Sequence, residues 1–219
     1  MEESDKLLLE IARCREAVDA RYERLNSCHT VVNSLPGFLF HCPEPWSGDI
    51  DKAELLVISS NPSFDPEEKW PLSDMNDKEI IDFFKNRKYK MDNMHWWMTF
   101  TYAGHILRCN REEAQKRVVS LPIVHCASKG EEGVSFSAPK CSKAYFARIM
   151  SFFKGSKIIV SGVSAKYMFK EMYPQGIKDK TIVFAPHLAR NLISFDEMIT
   201  RLDKAFKESN IGKSIDISK

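Results

Sequence analysis

The sequence predicts one α/β domain: a central four-stranded parallel sheet between layers of helices, a three-layer α/β/α arrangement. Two observations predict it. Four short apolar runs, near residues 54–59, 117–125, 157–162 and 180–186, alternate with segments of helical periodicity. Strands buried on both faces read as continuous runs of this kind, and strand–helix alternation builds parallel sheets. The length, 219 residues with 43% hydrophobic and 28% charged side chains, supplies one sizeable core, so residues 1–219 are read as a single domain.

Taken in order, residues 5–26 carry Leu8, Ile11, Ala12, Val18, Tyr22 and Leu25 near helical spacing and predict one N-terminal amphipathic helix. Residues 41–50 hold two prolines and a glycine around Trp46, a loop. The first strand is followed over 62–77 by Pro62, Pro66 and Pro71 among Asp, Ser and Asn, an irregular stretch of the length that often carries function. A short helix with a basic end is expected over 78–88, and an aromatic-rich buried helix over 92–109, with one exposed ring among His95, Trp96 and Trp97. Pro122 marks a bulge or a sheet edge in the second strand. Helices are expected over about 140–153 and 163–172, and Ser194 is placed to cap another over 195–208. The tail 209–219 reads as frayed.

The net charge of +2 neither requires nor excludes a nucleic-acid partner, which needs only a local basic face. The run Lys85, Arg87, Lys88 and Lys90 is either a solvated helix end or such a face. Six scattered cysteines without a CxxC pair, and a charged first 30 residues unlike a signal peptide, point to a reducing cytoplasm, on the nucleoid in a bacterium or in the nucleus of a eukaryote. No apolar run approaches the roughly 20 residues of a membrane span, so no membrane partner is expected, and the chain is read as a monomer. GxGxxG, a Walker lysine loop and a Gly-x-Ser-x-Gly elbow are all missing from the sequence. His105 and His125 have no spaced set of Cys, Asp or Glu partners, and no metal is expected.

The polar residues gather just past the strands. The first strand is followed by Ser60, Asn61, Pro62 and Ser63; the second by His125, Cys126 and Ser128; the third by Ser161, Gly162 and Ser164; the fourth by Pro186, His187 and Arg190. In a parallel sheet these groups share the carboxyl rim, where open α/β sheets bind ligands. Asn61-Pro62 alone is also ordinary turn chemistry.

In chain order, SSNPS at 59–63 and PHLAR at 186–190 resemble the uracil-DNA glycosylase superfamily, in which one strand ends in Gly-x-(Asp/Asn)-Pro and a late strand in His-Pro-Ser. VHCASKGEEGV and IIVSGVSA resemble that family's middle strands and loops, and the likeness runs over roughly residues 40–205. The resemblance implies a DNA-repair hydrolase that flips a damaged or deaminated base from single- or double-stranded DNA and cleaves its N-glycosidic bond without a cofactor. Asn61 would orient water and His187 would stabilise the departing base. Ser60, Pro62, Ser63, Phe64 and Trp70 would line the base pocket, and Arg190, Ser164 and Lys166 would meet DNA. Ser59 stands in place of the family's glycine, Leu188 and Ala189 in place of Pro-Ser, and no Asn lies near Pro122, where uracil readers often have one. Some members hold an iron–sulfur cluster. Cys126 and Cys141 resemble two of its ligands, while Cys28 and Cys42 supply the others only with unusual spacing. A non-catalytic nucleic-acid or nucleotide binding module on the same fold is the alternative, and an enzyme of a free nucleoside or another small molecule a third reading.

Overall fold

The structure is a computed structural model describing residues 1–35, 42–62, 75–87, 94–188, 193–208 and 212–218. Five strands, β1 (Leu55–Ser59), β2 (Val118–Pro122), β3 (Lys157–Ser161), β4 (Thr181–Ala185) and β5 (Ser214–Asp216), form one sheet in the order β2-β1-β3-β4-β5. Every pairing is parallel. The strand count corrects the expected four. The added strand comes from the tail expected to fray: Ile182 pairs with Ser214 and Phe184 with Asp216. Asp216 is tied back by Lys166, whose Nζ lies 2.7 Å from Oδ2, and by Ser218.

Alternation within the strands divides the core. Leu56, Ile58, Val119, Leu121, Ile158, Val160, Ile182 and Phe184 join one buried cluster with α1 (Glu3–Ala12), α4 (Asp77–Lys85), α7 (Val134–Cys141), α8 (Ala147–Phe152) and α9 (Val163–Met172). Leu55, Val57, Val118, Ile159, Val183 and Ala185 join a second with α5 (Met94–Leu107), α6 (Arg111–Arg117) and α10 (Phe195–Glu208). Each fully buried Leu, Ile or Val contributes about 1.5–3 kcal/mol, which is why all four long strands are nearly pure apolar runs. Pro122 sits on edge strand β2. There Ser120 exchanges hydrogen bonds with Ser47 on the outer side, while β1 takes the inner side. The missing proline N–H therefore costs the sheet no ladder bond.

The single helix expected over 5–26 is two, α1 and α2 (Arg15–Asp19), because the backbone leaves helical geometry at Cys14 (φ −54°, ψ 112°). Arg13, at the break, is held by Asp77 and the Met75 carbonyl. The turn takes Val18, Tyr22 and Leu25 off the packed stripe and leaves all three exposed. A short α3 (His29–Asn33) follows, and the helix expected from about 140 begins earlier, at Val134. The Ser194 hydroxyl accepts from Glu197 N at 3.2 Å and caps α10 as expected. Among the described residues, no helix is long and apolar enough to cross a membrane.

Candidate functional site at the carboxyl rim

The strand register levels the carboxyl ends: Ser59 pairs with Pro122, and Ser161 with Ala185. The chain runs from β1 outward to β2 and then back across to β3, so the strand order reverses beside β1. This is the crevice where doubly wound sheets hold their ligands. Asn61 follows β1, Gly162 follows β3, and His187 follows β4.

Asn61 is half-buried, and its amide is oriented by acceptors. Nδ2 donates to the Pro62 carbonyl at 3.1 Å and the Ser128 hydroxyl at 3.0 Å, with the Cys126 carbonyl at 3.5 Å. Carbonyls only accept, so the nitrogen is the end they hold, and Oδ1 is turned to the Ser60 hydroxyl 3.4 Å away. That long contact leaves the amide oxygen able to accept from a water. Pro62 and Ser60 are buried beneath it.

His187 is half-buried at the end of β4. The following Leu188 is fully buried, and its N–H donates to Ser161 Oγ at 3.2 Å, which pins the turn to β3. Leu188 therefore anchors the turn by burial. Gly162 (φ 95°) stands between the two polar groups, and a side chain there would begin 3.8 Å from His187 Cδ2. The left-handed backbone, which favours glycine, and the open ground beside the imidazole go together. On its other side the His187 ring lies 5.3 Å from that of His95, in the first turn of α5.

A carboxylate from the loop after β2 joins the rim. Glu131, exposed at the end of the short 3₁₀ turn Lys129–Glu131, accepts from the Ser60 hydroxyl on Oε1 and from the Ser164 hydroxyl on Oε2 at 2.5 Å. Ser164, expected at DNA, is thus part of the rim network. Lys166, expected there too, is mostly buried, with its ammonium on Asp216 and Ser218 at 2.7 and 2.8 Å, so its charge is already compensated within the fold. Ser63, Phe64, Trp70 and Arg190 lie outside the described residues.

Beside this rim the edge strand is braced by a buried ion pair. Arg87 Nη1 lies 3.2 Å from Glu44 Oε2, and both side chains are nearly inaccessible. Ser47 Oγ donates to Glu44 at 2.9 Å, and the guanidinium also stands over the Trp96 ring at 5.6 Å. The buried His125 donates from Nδ1 to the Glu44 carbonyl at 2.7 Å, and burial pushes its pKa down to about 4. Within the basic run, Lys85 is paired with Glu2 and Asp5, so both of its described cations serve the fold. Trp97, 37% exposed, is the open ring of α5. It lines an open groove of about 650 Å³ with His105, Arg108 and Arg111, a groove that shares no lining residue with the rim.

Among the described residues, which include Cys28, Cys42, Cys126 and Cys141, no three His, Cys, Asp or Glu are grouped to hold a metal ion. No protein-family model matches the chain. A search of curated proteins returns no match either.

Proposed function

We propose that the chain is a uracil-DNA-glycosylase-like hydrolase that releases a damaged or deaminated base from DNA. The observation that carries the reading is the presence of Asn61 and His187 on one rim, either side of Gly162 at the point where strand order reverses. Two strand spacings separate β1 from β4, about 10 Å, a span that a sugar carbon and its base can bridge. Hydrolysis of an N-glycosidic bond builds positive charge on the sugar and negative charge on the base. Asn61 Oδ1 would hold the attacking water, while its anchored Nδ2 keeps the amide from rotating. His187 would donate to the base oxygen that gains charge, the larger share of the catalysis. The duplex must first give up the base to this crevice. The finer fold reading, a three-layer domain of the uracil-DNA-glycosylase kind acting in DNA repair, belongs to the same proposal.

The test is release of base from oligonucleotides carrying uracil, hypoxanthine, xanthine or a mismatched thymine, single- and double-stranded. His187→Ala is expected to lower the rate about 100- to 1000-fold while DNA binding persists, and Asn61→Ala to lower it as well. Variants as fast as wild type remove both assignments. DNA retained with every base in place favours the non-catalytic binding module.

A further inference from the structure

We infer that Glu131 is the carboxylate that takes the proton from the attacking water, the task an asparagine cannot perform. The inference rests on the hydrolytic reading above and adds to it a catalytic residue from the loop after β2. An amide oxygen positions water but does not accept its proton near neutral pH. A rim with Asn61 alone therefore lacks a base.

Three observations put a base beside it. The Glu131 carboxylate and Asn61 Oδ1 are both in contact with one hydroxyl, Ser60 Oγ, which sets them side by side at the end of β1. The second carboxylate oxygen is held by Ser164 at the start of α9, so the group is fixed from two strand ends across the switch point. Each oxygen keeps a second lone pair for water, and the residue is exposed to the rim's solvent. Glu131 also carries φ 65°, the left-handed region that a residue with a Cβ seldom enters. Backbone strain of this kind persists where the surroundings over-determine it, and it collects at functional positions.

In the step that follows, the water oxygen bonds to the sugar C1′ and its O–H bond breaks, the proton passing to Glu131. The C1′–N bond breaks and its electron pair leaves on the base, which takes a hydrogen bond from His187. Glu131 then returns the proton to solvent, and the base anion takes one from solvent. The products are the free base and an abasic sugar bearing the water's hydroxyl.

The test uses the full chain and the same oligonucleotide panel. Glu131→Gln keeps the shape and the hydrogen-bonding partners but not the basicity. Its kcat is expected to fall about 100- to 10,000-fold, with KM and the unfolding midpoint near wild type. Glu131→Ala is expected to fall as far and to regain part of its rate when formate supplies a small carboxylate. A Gln variant with wild-type kcat overturns the inference and leaves the assignment of Asn61 and His187 standing. So does an Ala variant that loses rate through KM and ignores formate, the behaviour of a mere loop latch. If wild type releases no base from any oligonucleotide, both the hydrolytic reading and the role of Glu131 fall.

Discussion

Glu44→Ala is expected to lower the free energy of unfolding by about 3–5 kcal/mol, measured by urea denaturation at neutral pH. The size follows from burial. With both side chains of the Arg87–Glu44 pair nearly inaccessible, removing the carboxylate takes from a buried guanidinium an anionic partner that water does not readily replace. The Ser47 hydroxyl and the Trp96 ring are among its other contacts. Glu44→Met combined with Arg87→Met is expected to recover much of the loss, because a buried pair exchanged for apolar groups of similar size is often neutral. A loss below about 1 kcal/mol, the range of surface pairs, would mean that water or another partner satisfies the guanidinium. The effect should also reach the rim. Trp96, under Arg87, adjoins His95 in sequence and in ring contact, and His95 lies against His187. Glu44→Gln, which keeps an acceptor, should cost less in both stability and activity.

The second large effect is on acid stability. His125 is buried, its Nδ1 proton is committed to the Glu44 carbonyl, and desolvation holds its pKa at about 4 against 6.5 in the unfolded chain. The folded state therefore keeps the ring neutral where the unfolded state binds a proton. The contribution is complete above pH 6.5 and declines as pH falls towards 4; at about 1.4 kcal/mol per pKa unit it amounts to about 3 kcal/mol. Between pH 7 and pH 5 the unfolding free energy should fall by about 2 kcal/mol, and His125→Gln should flatten that slope. An unchanged slope in the variant would assign the loss to other groups. Asp216 is separable by its window. Burial works against its carboxylate, but Lys166 and the Ser218 hydrogen bonds outweigh burial and hold it well below the usual range. Its contribution is present above the ordinary carboxylate pKa of about 4 and is lost only as pH falls further.

The long apolar strands and their alternation with helices were legible because each is a local pattern, and with them the common rim of Asn61 and His187. What escaped depends on distant partners or on cues other than periodicity. β5 has three residues and one partner strand, and its Asp216–Lys166 tie spans 50 positions of sequence. At the break at Cys14, Arg13 contacts residues 75 and 77, which an amphipathic pattern over 5–26 does not register. α6 has little apolar stripe, yet its cues were present: Asn110 caps Glu113 N at 2.8 Å, acids fill the first turn and bases the last. Glu131 sits in a Gly-Glu-Glu-Gly turn and takes its partners from Ser60, 71 residues earlier, and Ser164, 33 later. No local pattern carries that information.

The proposed reaction of this rim is hydrolysis of the bond between a base and its sugar in DNA. Its most direct test is mass spectrometry of the wild-type protein incubated with the oligonucleotide panel, following free base and strand together. At least one damaged base is expected to appear free while its strand loses the matching mass and keeps an abasic site. Intact strands and no free base across the panel would contradict it.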